Sequence, residues 1–217
     1  MAQQEMPAVT FIKPRSTGTT RDRLLTAAEV AILDKGFAAT SIEELIAEVG
    51  ITKGGFFYHF PDKNALVIAI LERHLAAEEA WLDGLFAQAA SEAGSDDPLQ
   101  IFLCFLALLQ AQMEALPDVH PGCLIAACCF QERLFRPEVH RLAAANLLNW
   151  RARFTGVLTG IAAVHPPRRP VEIEALADML VVLVDGAIIL SKTVRQKEAL
   201  PRQIGIYATL LRSLFET

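Results

Sequence analysis

From Thr20 onward the apolar positions fall at helical spacing. Leu24, Leu25, Ala28, Ala31 and Ile32 make one stripe, and Gly36 stands where such a helix would stop. Phe37 then turns back toward that stripe. In the next stretch, "TSIEELIAEVG", Ile42, Leu45, Ile46 and Val49 repeat at i, i+3, i+4 and i+7, and Gly50 closes the run. Thr40 with Glu43, or Ser41 with Glu44, satisfies the reciprocal capping pattern at its start. Thr52 can cap a further short helix from about Lys53. Helix, tight turn and second helix at this spacing predict a helix-turn-helix.

The pattern stays helical to the end. Pro61 and Asp62 suit a helix start, and a long helix is predicted from residue 64 toward 90, with only Gly84 inside. "EAGSDDP" breaks it. A strongly apolar helix over 98 to 116, a short one over 123 to 134 and a longer one over 137 to about 164 come next. "HPPRRP" is a linker, and two last helices cover 172 to about 197 and 201 to 215. No alternating strand pattern and no repeat is found, so the predicted fold class is all-α. Residues 1–19 lack periodicity and are expected to be a flexible arm.

The penultimate helix, "EALADMLVVLVDGAIIL", is apolar almost all the way round, and the last adds Ile204, Ile206, Tyr207, Leu210, Leu211, Leu214 and Phe215. These residues read either as a core or, since a monomer's surface helix would not tolerate such a face, as a dimer interface over about 171–216.

The segment "GITKGGFFYHFPDK" does not fit a plain core helix. Gly54 and Gly55 weaken it, and Phe56, Phe57, Tyr58, His59 and Phe60 follow in an unbroken row. Phe56 and Phe60, four apart, can face the core near Ile42 and Leu45. Phe57, Tyr58 and His59 then point partly outward, unless they pack under the next helix. A nearly bare helix start beside exposed Tyr, His and Lys side chains suits the phosphates and groove floor of a duplex.

Residues 21–66, "RDRLLTAAEVAILDKGFAATSIEELIAEVGITKGGFFYHFPDKNAL", resemble the DNA-binding domain of the TetR family of bacterial transcriptional regulators. The likeness rests on Ala27–Ala28, Gly36–Phe37, Thr40–Ser41, Gly50–Ile51, Thr52–Lys53–Gly54, Tyr58–His59–Phe60 and Lys63. It implies a homodimer with an N-terminal three-helix DNA-binding domain (20–64) and a C-terminal helical effector-binding and dimerisation domain (65–217). Each third helix would enter the major groove of a palindromic operator. By the resemblance, Thr52, Lys53, Gly55 and Phe57 fall where base edges or nearby phosphates are met, and Thr40, Tyr58, His59 and Lys63 where the DNA backbone is held. Phe57 stands where the family often has Tyr, and Ile46 where it often has Ala. Lys53, thymine-methyl contacts by Phe57 and DNA shape are therefore expected to carry much of the specificity.

Net charge is −5, and residues 1–64 hold seven Lys/Arg against eight Asp/Glu, so any nucleic-acid surface must be local. Glu43, Glu44 and Glu48 are expected to point away from DNA. Lys13, Arg15 and Arg21 read either as a basic arm or as part of a plain disordered start. Apolar residues make up 53% of the chain but aromatics only 7%, which suits packed helices. No signal-peptide pattern or membrane-spanning run is found, and a cytoplasmic protein is expected.

The resemblance also implies a small effector that releases a repressor from its operator. Phe102, Leu106, Gln110, Cys123, Phe130, Trp150 and Phe154 are the candidate lining, either pocket or ordinary core, and their character favours a hydrophobic or aromatic molecule. In "HPGCLIAACCF", Cys123, Cys128 and Cys129 read either as buried small residues or as a thiol sensor of oxidants or electrophiles. No spacing supports a metal site, a cofactor or a hydrolase or phosphate-loop motif, so no enzyme is expected.

Overall fold

The computed structural model describes residues 18–216, and those residues are helical with no strand. In chain order the α-helices are α1 (Thr20–Lys35), α2 (Ile42–Val49), α3 (Lys53–His59), α4 (Lys63–Glu92), α5 (Pro98–Glu114), α6 (Leu124–Cys129), α7 (Pro137–Val164), α8 (Ile173–Val194) and α9 (Ala199–Phe215). Lys13 and Arg15 of the expected basic arm lie outside the described residues. The all-α expectation holds.

Local codes set the first three helices. Thr19 and Asp22 form a capping box at the head of α1, and Ser41 and Glu44 form another at α2. The α2 cap is thus Ser41 and not Thr40. Gly36 and Gly50 follow α1 and α2 with φ of 85° and 71°, values that a side chain with a Cβ rarely adopts. Thr52 caps α3 by accepting from the Gly55 N–H at 3.1 Å.

One predicted helix breaks in two. The stretch over 123–134 is α6 and then a separate 3-10 turn, Glu132–Leu134. Both the Phe130 and the Gln131 N–H donate to carbonyls of α6, closing it early. α8 also ends at Val194, short of the expected limit near 197, with Arg195 in the left-handed region at φ of 55°.

The described chain divides into two compact units. One holds the residues up to Trp81 together with Pro121–Ala145, and the other holds Leu82–His120 together with residues from Asn146 onward. The first unit therefore runs past residue 64 and along α4 as far as Trp81. Its core joins Leu24, Leu25, Ala28, Leu45, Val49, Phe56, Phe60 and Leu66 to Leu124, Ile125, Cys128, Phe135 and Val139. Polar contacts seal the join. The Gln131 Oε1 accepts from the Ala38 N–H at 3.0 Å, and the Arg136 guanidinium meets Asp62 at 2.6 Å. Burying those apolar side chains stabilises the unit by roughly 1.5–3 kcal/mol for each large one.

In the second unit α5 and α8 both pack on α9. Phe86, Phe102, Phe105 and Phe154 form a cluster whose ring centroids lie 4.1 to 6.4 Å apart. Tyr207 is fully buried and donates its hydroxyl to the Leu176 carbonyl at 2.8 Å. Outside that core, α8 exposes Met179, Val182, Ile189, Leu190 and Val194, and α9 exposes Ile206.

Candidate nucleic-acid interface

The five-ring run separates cleanly. Phe56 and Phe60 are buried in the core of the first unit, while Phe57 is 44% and Tyr58 85% exposed. Phe57 leans on Phe56 edge to face at 5.4 Å, and half-buried His59 meets Tyr58 in the same way at 5.0 Å. A seven-residue helix has room on its inner side for Phe56 and Phe60, and the rest are left in water.

Gly54 and Gly55 have no folded-state need to be glycine. A Cβ at Gly54 would come no nearer than 3.9 Å to another group, and one at Gly55 no nearer than 3.5 Å. Neither has a positive φ. Each costs about 1 kcal/mol of helix propensity relative to alanine. Their bareness lies on the solvent side of α3, beside Thr52, Lys53, Phe57 and Tyr58, where a partner could come close to the backbone.

Two expected backbone-holding residues are engaged elsewhere. The Thr40 side chain is 1% exposed and donates its hydroxyl to the Gly36 carbonyl at 2.9 Å, so it braces the α1–α2 turn and faces no partner. The Lys63 ammonium also turns inward. It donates to the Phe37 and Thr40 carbonyls at 2.6 and 2.7 Å and sits 4.0 Å from the Phe37 ring centroid. Burial pulls its pKa below the ordinary lysine range. Thr40 and Lys63 thus supply donors to three carbonyls of the α1–α2 connection.

The acids of α2 find different partners. Glu44 does turn aside, to Lys35 at 2.6 Å. Glu43 does not: its carboxylate lies 3.6 Å from the Lys53 ammonium, on the same surface as α3. Sequence spacing gives no sign of this pairing, because it depends on how α2 and α3 cross.

Residues 24–70 match the family described as "Bacterial regulatory proteins, tetR family". The N-terminal helices of this chain are thus similar to the TetR family. The HTH-type transcriptional repressor NemR of Escherichia coli strain K12 is 40% identical over 58 residues, which is 27% of this chain and 29% of NemR. An uncharacterized HTH-type regulator of Lactococcus lactis is 32% identical over 73 residues, 33% of this chain and 37% of that one. The repressor KstR2 of Mycolicibacterium smegmatis is 30% identical over 112 residues, 52% of this chain and 50% of its own length. The chain thus spans about a third to a half of the length of these curated relatives.

In three dimensions the likeness runs further. The reduced form of E. coli NemR superposes with a TM-score of 0.72 at 22% identity, over 92% of this chain and all of that one. A TetR-family regulator of Agrobacterium tumefaciens gives 0.72 at 21%, over 90% and 97%. At such identity the TetR-like fold is shared and nothing finer. The relatives named above are described as transcriptional regulators.

The candidate effector residues divide between the two units. Cys123 and Phe130 belong to the first unit, and Phe102, Leu106, Gln110, Trp150 and Phe154 to the second. Phe102, Leu106 and Phe154 are wholly buried in core, whereas Phe130 is 80% exposed. An open cleft of about 410 Å³ in the second unit shares only Gln110 with that set; Glu114, Lys197, Glu198, Pro201 and Arg202 complete its largely polar lining. Among the described residues no cluster of His, Cys, Asp and Glu could hold a metal, and no helix is long and apolar enough to cross a membrane.

Proposed function

We propose that this TetR-family chain works as a homodimeric repressor that binds a palindromic operator and leaves it when a small effector binds. The α3 surface carries the reading. Two glycines that the fold does not require, next to an 85% exposed tyrosine, make sense where a backbone and a phenol meet a duplex. Lys53, Thr52, Gly55 and Phe57 are assigned to the groove, and Tyr58 and His59 to the sugar-phosphate backbone. Lys63 and Thr40 are assigned to holding the turn that carries α2.

Dimerisation through α8 and α9 is supported by the apolar residues they leave in water, Val182 and Ile206 foremost. Two heads related by a two-fold axis then meet half-sites about 34–36 Å apart, or a multiple of it, and a change in their spacing would lower affinity. The burial of Phe102, Leu106 and Phe154 favours an effector that is apolar and enters by displacing packed side chains.

A thiol-sensing variant has one observation for it and one against. Cys129 is exposed and Cys123 caps α6 through a sulfur that accepts from the Ala126 N–H at 3.4 Å. Burial, with Cys129 alongside, pushes the Cys128 thiol up to about 12, so it is not a thiolate at neutral pH. Any such chemistry would therefore begin at Cys129 or Cys123 and not at Cys128.

The test is selection of duplexes from a random pool by purified protein at moderate salt. Enrichment of a palindrome is expected. Replacing Lys53 with Ala and Tyr58 with Phe together should weaken its binding about tenfold while the dimer persists. Unaltered binding by the double variant would overturn the contact assignments, and an unenriched pool would overturn the reading itself.

A further inference from the structure

The cations between residues 18 and 81 are Arg21, Arg23, Lys35, Lys53, Lys63 and Arg73, and each has a partner within the first unit. Arg21 lies over the Phe60 ring, Arg23 donates to the Val49 carbonyl, and Arg73 pairs with Glu29 at 2.7 Å. Lys35 and Lys63 are closed onto Glu44 and onto backbone carbonyls at 2.6 to 2.7 Å. Lys53 and Glu43 differ. Their charges stand 3.6 Å apart, beyond a normal hydrogen bond, and the two side chains are 69% and 71% exposed. An open pair of this kind adds almost nothing to stability.

A carboxylate on a surface that must meet a polyanion is repelled unless it finds a donor there. In the major groove that donor is a base amino group. A C·G pair displays the cytosine N4 amino group next to the guanine O6 and N7 acceptors, and Glu and Lys are their respective matches. Glu43 at the second position of α2 and Lys53 at the first of α3 set an acceptor beside a donor, poised to part and bind separately.

We propose that Glu43 is a specificity-determining residue that, with Lys53, reads one C·G base pair in each operator half-site; this rests on the DNA-binding function proposed above. Glu43 accepts from the cytosine amino group while Lys53 donates to the guanine. The carboxylate at the same time lowers affinity for every duplex that lacks a donor at that step. Discrimination then comes from a residue that the sequence places among the acids turned away from DNA.

The experiment repeats the duplex selection with the full chain and with Glu43→Gln and Glu43→Ala. It also measures binding of the selected duplex and a scrambled one between 50 and 200 mM salt. Glu43→Gln should shift one position per half-site from C·G toward A·T, because glutamine pairs with adenine N6 and N7. Glu43→Ala should lose preference at that position, with the ratio of selected to scrambled affinity falling about fivefold or more. Both should bind scrambled duplex more tightly than the parent. Because Glu43 is exposed, both variants should keep the parent's dimer and helical melting. A palindrome with no C·G preference lost in either variant would overturn the assignment alone, as would tighter binding of all duplexes with unchanged base preference. A parent chain that enriches nothing would overturn the DNA-binding function as well.

Discussion

The surface of α1 to α3 and the surface of α8 and α9 are incomplete in opposite ways. In the first, nearly every cap, carbonyl and cation has a partner: Ser41 with Glu44, Thr52 with Gly55, and Lys63 with two carbonyls. What is left over is small, a pair of bare glycines, one tyrosine and the open Glu43–Lys53 pair. In the second, the polar groups matter little and the remainder is a broad apolar face. The first kind of remainder suits a rigid polar partner met at a few points. The second suits a copy of itself, met over an area.

That contrast breaks most severely at Val182, which is 68% exposed on α8. Val182→Asp would place a charge in the dimer interface proposed here while costing an isolated chain almost nothing. The expected result is a monomer in sedimentation, with unchanged helicity and operator affinity lower by on the order of 100-fold, since one half-site remains. A Val182→Asp dimer with full affinity would move the interface away from α8.

Lys63 sharpens the other side. As a phosphate contact it would affect DNA binding and leave stability alone. As the donor to Phe37 and Thr40 it should do the reverse first. Lys63→Met keeps the stem but removes the donor to two carbonyls, and denaturant unfolding should show a loss of about 2 kcal/mol. Equal stability with weakened DNA binding would restore the phosphate contact.

Gly54→Ala is the smaller test, and its two readouts should move in opposite directions. The added methyl meets no neighbour within 3.9 Å, so helix propensity should raise stability by about 0.5–1 kcal/mol. Operator binding should weaken, because the methyl stands between backbone and duplex. A variant both more stable and equally tight would mean that α3 does not approach DNA at Gly54.

Much of this was legible in the chain because short-range codes wrote it. Gly36, Gly50, Ser41–Glu44 and Thr52 act within four residues, and they placed the ends of α1 to α3 to within about a residue. The outward face of Phe57 and Tyr58 followed, since Phe56 and Phe60 fill the inner one. The parts that stayed hidden depend on contacts far along the chain. Gln131 bonds Ala38 across 93 positions, and Lys63 reaches Phe37 across 26. Nor does periodicity reveal the break after Cys129, where α6 stops and a separate 3-10 turn follows. The nearness of Glu43 to Lys53 stayed hidden for the same reason: it depends on how a second helix is placed.

Glu44 gives the gentlest test, because it asks only whether the local code is closed as drawn. Hydrogen bonds from Lys35, and from the Ser41 N–H and hydroxyl, hold its carboxyl at about 2, against an ordinary value of 4.5. The folded pKa is depressed, so its contribution is present above pH 4.5 and is lost as pH falls from there toward 2. An NMR titration of the side-chain carboxyl should show that midpoint, and Lys35→Ala should raise it more than Ser41→Ala does, since the Lys35 bond is the strongest influence. In Glu44→Gln the acid-induced loss of stability between those two values should shrink. A parent midpoint near 4.5 would mean that the box at the head of α2 is open in solution, and that α2, like α3, waits for DNA to complete it.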